Sequence, residues 1–409
     1  MRVKTSFLQY QHEILQNTRK YLAVLGGLGC GKTRCIAQII YDYARRYPGA
    51  RILLAAFTYK LLHQGAFFEL QKYLREIDVG YDYNQGTGVL TFPNTSSVTL
   101  QTLNLSPDEV RGPEWSLIVI DEAAQIEEKM WQAISDRARY KLYKENTKEA
   151  APNIVRVFSN SKDVNPSHWM MKEFLLGESP DHELISVPTY YNRANLPSDY
   201  IPKLEKRYPP GSDDHRRWIL GEIVSMEGAV YPMFGEKHIV KEDHVIQHPV
   251  SSIDFGTRDP TVILQGGLDR YGNLHITHEF VATELAPSER IPHIKRLCSH
   301  GGSIFIDHDP AMQVEMQAAG LTGTYAYKDV TLGIDLVKSR LTSNTLFIHE
   351  RCKSLISELY NYAWKTGDTE KPAHKFSHGP DALRYMIMGL DYDDGQNSAA
   401  GFIGASLYY

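Results

Sequence analysis

Four cysteines in 409 residues leave little room for a disulfide framework. Cys30, Cys35, Cys298 and Cys352 form no C-x-x-C pair and no zinc-ligand spacing, so neither a stapled secreted scaffold nor a zinc module is encoded. No apolar run reaches the length of a bilayer span, and the first residues lack a secretory pattern, so no membrane partner is expected. Internal repeats and low-complexity tracts are absent, which excludes a solenoid or a disordered array. Positive charge is not in excess either: the formal net charge is −5. From residue 251 onward there are 14 Lys and Arg against 19 Asp and Glu, whereas the first 250 residues balance at 30 and 30. The acidity therefore lies in the C-terminal half, where a carboxylate metal site would place some of it. A local basic groove remains compatible with this balance, because partners respond to the local field.

What the chain does contain is length for two domains and an ordinary globular composition, 42% hydrophobic and 23% charged. Residues 26 to 33 read Gly-Gly-Leu-Gly-Cys-Gly-Lys-Thr, a full match to the phosphate-cradling G-x-x-x-x-G-K-[ST] loop. Gly26, Gly27, Gly29, Cys30 and Gly31 bring backbone N–H groups toward a triphosphate, Lys32 adds a point charge, and Thr33 offers a hydroxyl to Mg²⁺. A cysteine at this place suits a reducing compartment. The flanks supply the required context. Tyr21 to Leu25 reads as a buried strand, and Arg34 to Arg46 carries Ile36, Ile39, Ile40 and Tyr43 at helical spacing.

Leu117 to Ile120 is a second continuous apolar run, as in a central parallel strand, and ends in Asp121-Glu122. There one carboxylate suits the Mg²⁺ shell and its neighbour can polarise an attacking water. Both reach a cleft only if the chain turns at the strand end. Arg51 to Phe57 and Ile154 to Phe158 are further strands, and Val89 to Leu103 reads as a hairpin around Pro-Asn-Thr-Ser-Ser. Strands alternating with helices predict an α/β fold, a mostly parallel helix-covered sheet with ligand at the strand carboxyl ends. This half is expected to hydrolyse ATP, or to descend from something that did.

The pattern loosens where Pro197, Pro202, Pro209-Pro210-Gly211, Pro232 and Pro249 mark a connector. Expected boundaries are 1–195 for the ATPase domain, 196–250 for a connecting subdomain, 251–395 for a second domain and 396–409 for a flexible tail. In the second domain three hairpin-joined strands followed by alternating helices and strands predict a mixed sheet of the RNase H type. Asp254 ends its first strand, and Asp307 follows a later apolar one, with Asp309 two residues on. Asp381 opens a final helix, three residues after His378. Carboxylates from two strand ends and a helix can converge on two divalent metals that activate water and clamp a phosphodiester's leaving oxygen. Hard oxygen ligands select Mg²⁺ or Mn²⁺. Asp307 is preferred over Asp309 because it directly follows the strand. His378 reads either as an assistant in metal or proton handling or as a helix-capping imidazole.

Taken together, these stretches resemble the large terminase subunit of tailed bacteriophages, a genome-packaging motor with its own nuclease. Besides the loop and the Asp121-Glu122 strand, the resemblance is carried by Arg111-Gly112, Phe158-Ser159-Asn160 through Ser167-His168-Trp169, and Leu220-Gly221-Glu222 with Glu227 to Tyr231. In the second half it is carried by Ile253-Asp254-Phe255-Gly256, Asp307, and His378-Gly379-Pro380-Asp381-Ala382-Leu383-Arg384-Tyr385. Many relatives carry arginine within the loop where this chain has Leu28. The resemblance implies that Gln11 reads adenine, that Lys32, Thr33 and Asp121 hold phosphate and Mg²⁺, and that Glu122 activates water. Ser159 and Asn160 would sense the γ-phosphate, and Arg111 would serve as an arginine finger toward a neighbouring subunit, with Arg137 and Arg139 as alternatives. Asp254, Asp307 and Asp381 would bind metal with His378 assisting. Expected partners are double-stranded DNA, the portal protein and procapsid, the small terminase subunit and further copies of the chain, as a pentamer on the portal. Action in the host cell cytoplasm is implied. The alternative is a helicase-type ATPase with a fused nuclease for DNA processing; a nucleotide-gated assembly adaptor is a third reading.

Overall fold

The computed structural model describes residues 7–143, 149–177, 179–225, 228–256, 259–365 and 372–392. Glu227 and the expected tail lie outside the described residues. The chain divides into two units, Met1–Ile223 and Val224–Tyr409. The Pro-rich stretch 196–250 is therefore split, its first part folding with the first unit.

The first unit is built on an eight-stranded sheet. Its strands are β1 (Tyr21–Gly26), β2 (Arg51–Ala56), β3 (Asp82–Asn84), β4 (Val89–Thr91), β5 (Ser97–Thr102), β6 (Leu117–Asp121), β7 (Ile154–Asn160) and β8 (His182–Val187), in the order β3-β4-β5-β2-β6-β7-β1-β8. From β5 to β8 every pair is parallel, and only the β3-β4-β5 edge is antiparallel. Parallel strands covered on both faces need apolar residues at every position. β6 is buried throughout, and β1 and β2 expose only their first residues. Leu22 and Val24 pack with the helix Lys32–Arg46 and with Phe67, Leu70 and Leu74 of the helix Phe67–Glu76. On Trp131, of the helix Glu128–Ser135, Trp169 stacks with centroids 5.0 Å apart. This is a P-loop ATPase sheet, in which β1, β6, β7 and β8 all deliver their carboxyl ends to one edge.

One charge is buried deep in it. Arg156 on β7 is 1% exposed. Its Nη1 donates to the carbonyls of Arg19 (3.0 Å), Lys20 (3.3 Å) and Val155 (3.0 Å), and its Nη2 to that of Asn17 (2.9 Å). The guanidinium thus ties β7 to the turn following the first helix, Gln9–Gln16. Burial pushes its pKa down to about 10. Arg156→Ala orphans those buried carbonyls and is expected to destabilise the unit by about 3–5 kcal/mol, read as a lowered midpoint in urea.

The second unit holds a seven-stranded mixed sheet. Its strands are β9 (Ile239–Val240), β10 (His248–Asp254), β11 (Thr261–Leu268), β12 (Leu274–Ala282), β13 (Ser303–Ile306), β14 (Thr324–Tyr325) and β15 (Leu346–His349), ordered β14-β13-β10-β11-β12-β15-β9. β10, β11 and β12 form an antiparallel meander, and β13 pairs parallel with β10. This topology is RNase H-like. Ile253, Ile263 and Ile306 pack against Ile294, Leu297, Met312 and Met316 of the helices Pro287–Cys298 and Pro310–Ala318. The helix His378–Asp391 packs on β10, β11 and β13, so closely at Gly389 that a Cβ there would stand 2.2 Å from the Phe305 ring.

Candidate functional sites

At the carboxyl edge of the first sheet, β1 runs into the phosphate loop. Gly31 adopts φ 100°, a left-handed geometry that suits glycine, and caps the helix that begins at Lys32. The N–H groups of the first helical turn have no intrahelical acceptor and so face the place where an anion would sit. Other loop amides are used structurally: Gly27 N donates to Val187 O (3.0 Å) and Leu28 N to Trp218 O (2.8 Å). A Cβ on Gly27 would stand 2.4 Å from the Ile219 carbonyl oxygen, so the turn Arg216–Leu220 and the loop need glycine between them. This contact places residues of the Pro-rich stretch against the loop, which sequence spacing gave no means to see.

Lys32, 8% exposed, donates from Nζ to Asn160 Oδ1 at 2.9 Å and to Gly26 O at 3.3 Å. Asn160 then donates from Nδ2 to both oxygens of Glu122, at 2.9 and 3.1 Å. An amide thus bridges the loop lysine and the strand-end carboxylate. Glu122 stands at φ 51° and ψ 46°. This left-handed turn, unfavourable by about 1–2 kcal/mol outside glycine, lets two adjacent acids face the same cleft. Asp121 accepts the Glu122 N–H at 3.1 Å. Burial, then the neighbouring Glu122 charge, pushes the Asp121 carboxyl up to about 7, and burial also raises Glu122. Both acids are therefore placed where a nearby cation stabilises their charged forms.

Ser159 Oγ accepts the Ala124 N–H at 3.3 Å, His168 Nε2 stands 3.1 Å from Ala124 O, and Trp169 Nε1 donates to Ile126 O at 2.9 Å. The stretch from Phe158 to Trp169 is in this way fastened to the segment following Glu122. Gln11 is buried; its Nε2 donates to Gly31 O (3.3 Å) and its Oε1 accepts Leu8 N–H (3.0 Å). Its amide thus braces the loop. Arg111 pairs with Asp108 at 2.9 Å on an exposed loop, and Arg139 with Glu114 at 2.9 Å. The structure brings together Gln11, the loop, Asp121, Glu122, Ser159 and Asn160. Arg111 is paired away from them, on Asp108.

In the second unit, register alone aligns two acids. Ile253 pairs with Ile306 on the parallel strands β10 and β13, and Asp307 N donates to Ile253 O at 3.1 Å. Both isoleucines face the helices Pro287–Cys298 and Pro310–Ala318. The next residues, Asp254 and Asp307, therefore turn to the opposite face, which carries the helix His378–Asp391. Asp381 lies in the first turn of that helix. Burial first, then the charges of Asp254, Asp381 and Asp307, raise the Tyr385 pKa. Asp309 instead caps the helix Pro310–Ala318, accepting Met312 N–H at 3.0 Å.

Each acid faces a basic side chain. His378 Nδ1 stands 3.0 Å from Asp254 Oδ2, Arg384 Nη2 donates to Asp381 Oδ1 at 2.9 Å, and Lys328 Nζ pairs with Asp307 Oδ1. The Asp254 hydrogen bond raises the His378 pKa, and burial raises that of Asp381. Among the described residues no three His, Cys, Asp or Glu side chains stand in an ion-holding group. The donor set itself, three carboxylates with two aligned on one face, fits a hard divalent cation.

Sequence reasoning missed Glu358, which sits inside the helix Lys353–Asn361. Its Oε2 accepts the Gly379 N–H at 2.5 Å, pinning the start of the helix that carries His378 and Asp381. A Cβ on Gly379 would meet that oxygen at 2.8 Å. Burial first, then the charges of Glu279 and Asp254, push the Glu358 carboxyl up to about 7. The folded chain then binds a proton more tightly than the unfolded chain does. Stability contributed here is full at low pH and declines as pH rises from about 4.5 to about 7. Glu358→Gln is expected to flatten that decline, measured as melting temperatures at pH 5 and 8.

A family model described as terminase large subunit, T4likevirus-type, N-terminal, matches residues 23–237. The fold is similar to that of a large terminase from a thermophilic bacteriophage, at 19% identity and TM-score 0.46 over 94% of this chain and 98% of that one. It is also similar to the bacteriophage HK97 large terminase, at 13% identity and TM-score 0.42 over 94% and 95%. The P22 large terminase nuclease domain aligns at 15% identity and TM-score 0.35, over 40% of this chain and 93% of that one. No curated protein matches. No helix among the described residues is long and apolar enough to cross a membrane. With the family model spanning more than half of its length, the chain belongs to the terminase large subunits, and its role lies in phage DNA packaging.

Proposed function

We propose that the chain is an ATP-driven translocase that moves double-stranded DNA into a procapsid and cuts concatemeric DNA with a two-metal endonuclease. The ATPase is assigned to 1–195 with 196–250 connecting it, and the nuclease to 251–395. The observation that carries the motor half is the Lys32–Asn160–Glu122 bridge at the sheet edge. Lys32 and the first-turn amides bind the phosphates of ATP, while Thr33 and Asp121 are the residues that would hold Mg²⁺. Glu122 accepts a proton from the attacking water. Asn160, bonded to both Lys32 and Glu122, senses whether a γ-phosphate has drawn Lys32 away. Ser159 passes that change to the Ala124 segment. Arg111, exposed and paired with the exposed Asp108, would leave that pair to reach a neighbouring copy and stabilise transition-state charge there.

In the nuclease half, Asp254, Asp307 and Asp381 would hold Mg²⁺ or Mn²⁺, which supplies the charge that activates water and stabilises the leaving oxygen. His378 orients Asp254, and Glu358 fixes the helix that carries His378. The expected partners are the portal, the small terminase subunit and four more copies around the DNA, in the host cytoplasm. Incubation with procapsids, linear duplex and ATP is expected to yield DNA protected from added nuclease. ATP hydrolysis without protection is the result for a helicase-type enzyme or an assembly adaptor, and would overturn the motor reading.

A further inference from the structure

Of the three basic side chains that face the acids of the second unit, two are built in. The Arg384 side chain is 5% exposed, and a Cβ on Gly333 would stand 2.3 Å from its Cγ. His378 belongs to the helix that Glu358 anchors, with its side chain 14% exposed. Lys328 differs: its side chain is 52% exposed while that of Asp307 is 23% exposed. Its backbone, however, is held on both sides. Ala326 N donates to Ile306 O at 2.9 Å, joining β14 to the strand that precedes Asp307. Asp329 caps the helix Val330–Thr342 by accepting Leu332 N–H at 2.9 Å, and Tyr327 stacks on Tyr392 with centroids 5.0 Å apart. A fixed base with a long, solvated side chain aims an ammonium at Asp307 and leaves it free to swing away. Lys328 Nζ and the His308 N–H (2.6 Å) both use Asp307 Oδ1.

We propose that Lys328 is a resident counter-ion that competes with the divalent cation for Asp307, and so raises the metal concentration at which the nuclease engages. The inference rests on the reading of Asp254, Asp307 and Asp381 as metal ligands. Lysine suits the task because its compact charge is satisfied by water once displaced, whereas a buried arginine has no such exit. The pair is half-exposed, so the competition is modest and salt-sensitive.

Mn²⁺ titration of the full chain without nucleotide, following free Mn²⁺ by its electron paramagnetic resonance signal, tests this directly. Lys328→Met and Lys328→Gln are each expected to tighten Mn²⁺ binding about two- to fivefold at low salt, with the gain shrinking as KCl rises. Lys328→Arg keeps the charge and is expected to bind as the parent chain does. In an Asp307→Asn background, Lys328→Met should make no difference. Unchanged or weaker Mn²⁺ binding in both neutral variants, with melting temperatures intact, would overturn the inference and leave the metal site standing. Parent-like binding in Asp254→Asn would instead overturn the metal site itself.

Discussion

Glu122→Gln is expected to lower ATP turnover by about 10²- to 10⁴-fold, the range for loss of a positioned general base, while ATP binding stays near that of the parent chain. The substitution preserves length and keeps an oxygen for the Asn160 amide, which now donates to Glu122 at 2.9 and 3.1 Å. What it removes is the capacity to take a proton from water. Burial already raises the Glu122 pKa, which makes the carboxylate a stronger base than a solvated one, and Lys32 counters that shift. Asn160→Ala is a milder companion, since it cuts the bridge to Lys32 but leaves the carboxylate. Steady-state phosphate release together with fluorescent-nucleotide titration separates chemistry from binding. Parent-like turnover in Glu122→Gln would move water activation to another group.

Asp254→Asn is expected to lower Mn²⁺-dependent nicking of supercoiled plasmid by more than about 10²-fold, because even outer-shell partners of a metal site are worth 10- to 100-fold, and to leave ATP turnover unchanged. Asp254 ends β10 in the second unit, is 7% exposed and stands 3.0 Å from His378 Nδ1, so its expected effect on nicking runs through the divalent cation proposed for it. Asp307→Asn should behave alike, whereas Asp309→Asn should nick normally because asparagine is an equally good helix cap. Loss of both nicking and ATP turnover would point to misfolding, which melting curves detect. Nicking retained in both Asp254→Asn and Asp307→Asn would remove the acids from the chemistry.

Much of this was legible in the sequence because the signals were local. A glycine-rich loop before Lys32 and Thr33, and an apolar run ending in Asp121-Glu122, each declare an element and a chemistry within a few residues. The Asp309-Pro310 pair is a helix start in its own right, and Asp309 does cap the helix Pro310–Ala318. What stayed hidden depends on residues meeting across the fold. Glu358 sits in a helix with nothing in its neighbours to mark it as the partner of Gly379. The turn Arg216–Leu220 reads as part of a Pro-rich connector, yet Ile219 shapes the phosphate loop at Gly27. The left-handed backbone of Glu122 left no compositional trace, since the residue is not glycine. Lys328 reaches Asp307 only because β14 pairs with β13.

We propose that one polypeptide holds two separate ion-dependent centres, a nucleotide pocket and an acid cluster. Anomalous diffraction at the manganese edge, from crystals grown with a slowly hydrolysed ATP analogue and Mn²⁺, tests it most directly. One manganese peak is expected beside Thr33 and Asp121, and further peaks among Asp254, Asp307 and Asp381, with Lys328 turned out to solvent. Manganese confined to the nucleotide pocket, with Asp307 still on Lys328 and Asp381 on Arg384, would contradict it.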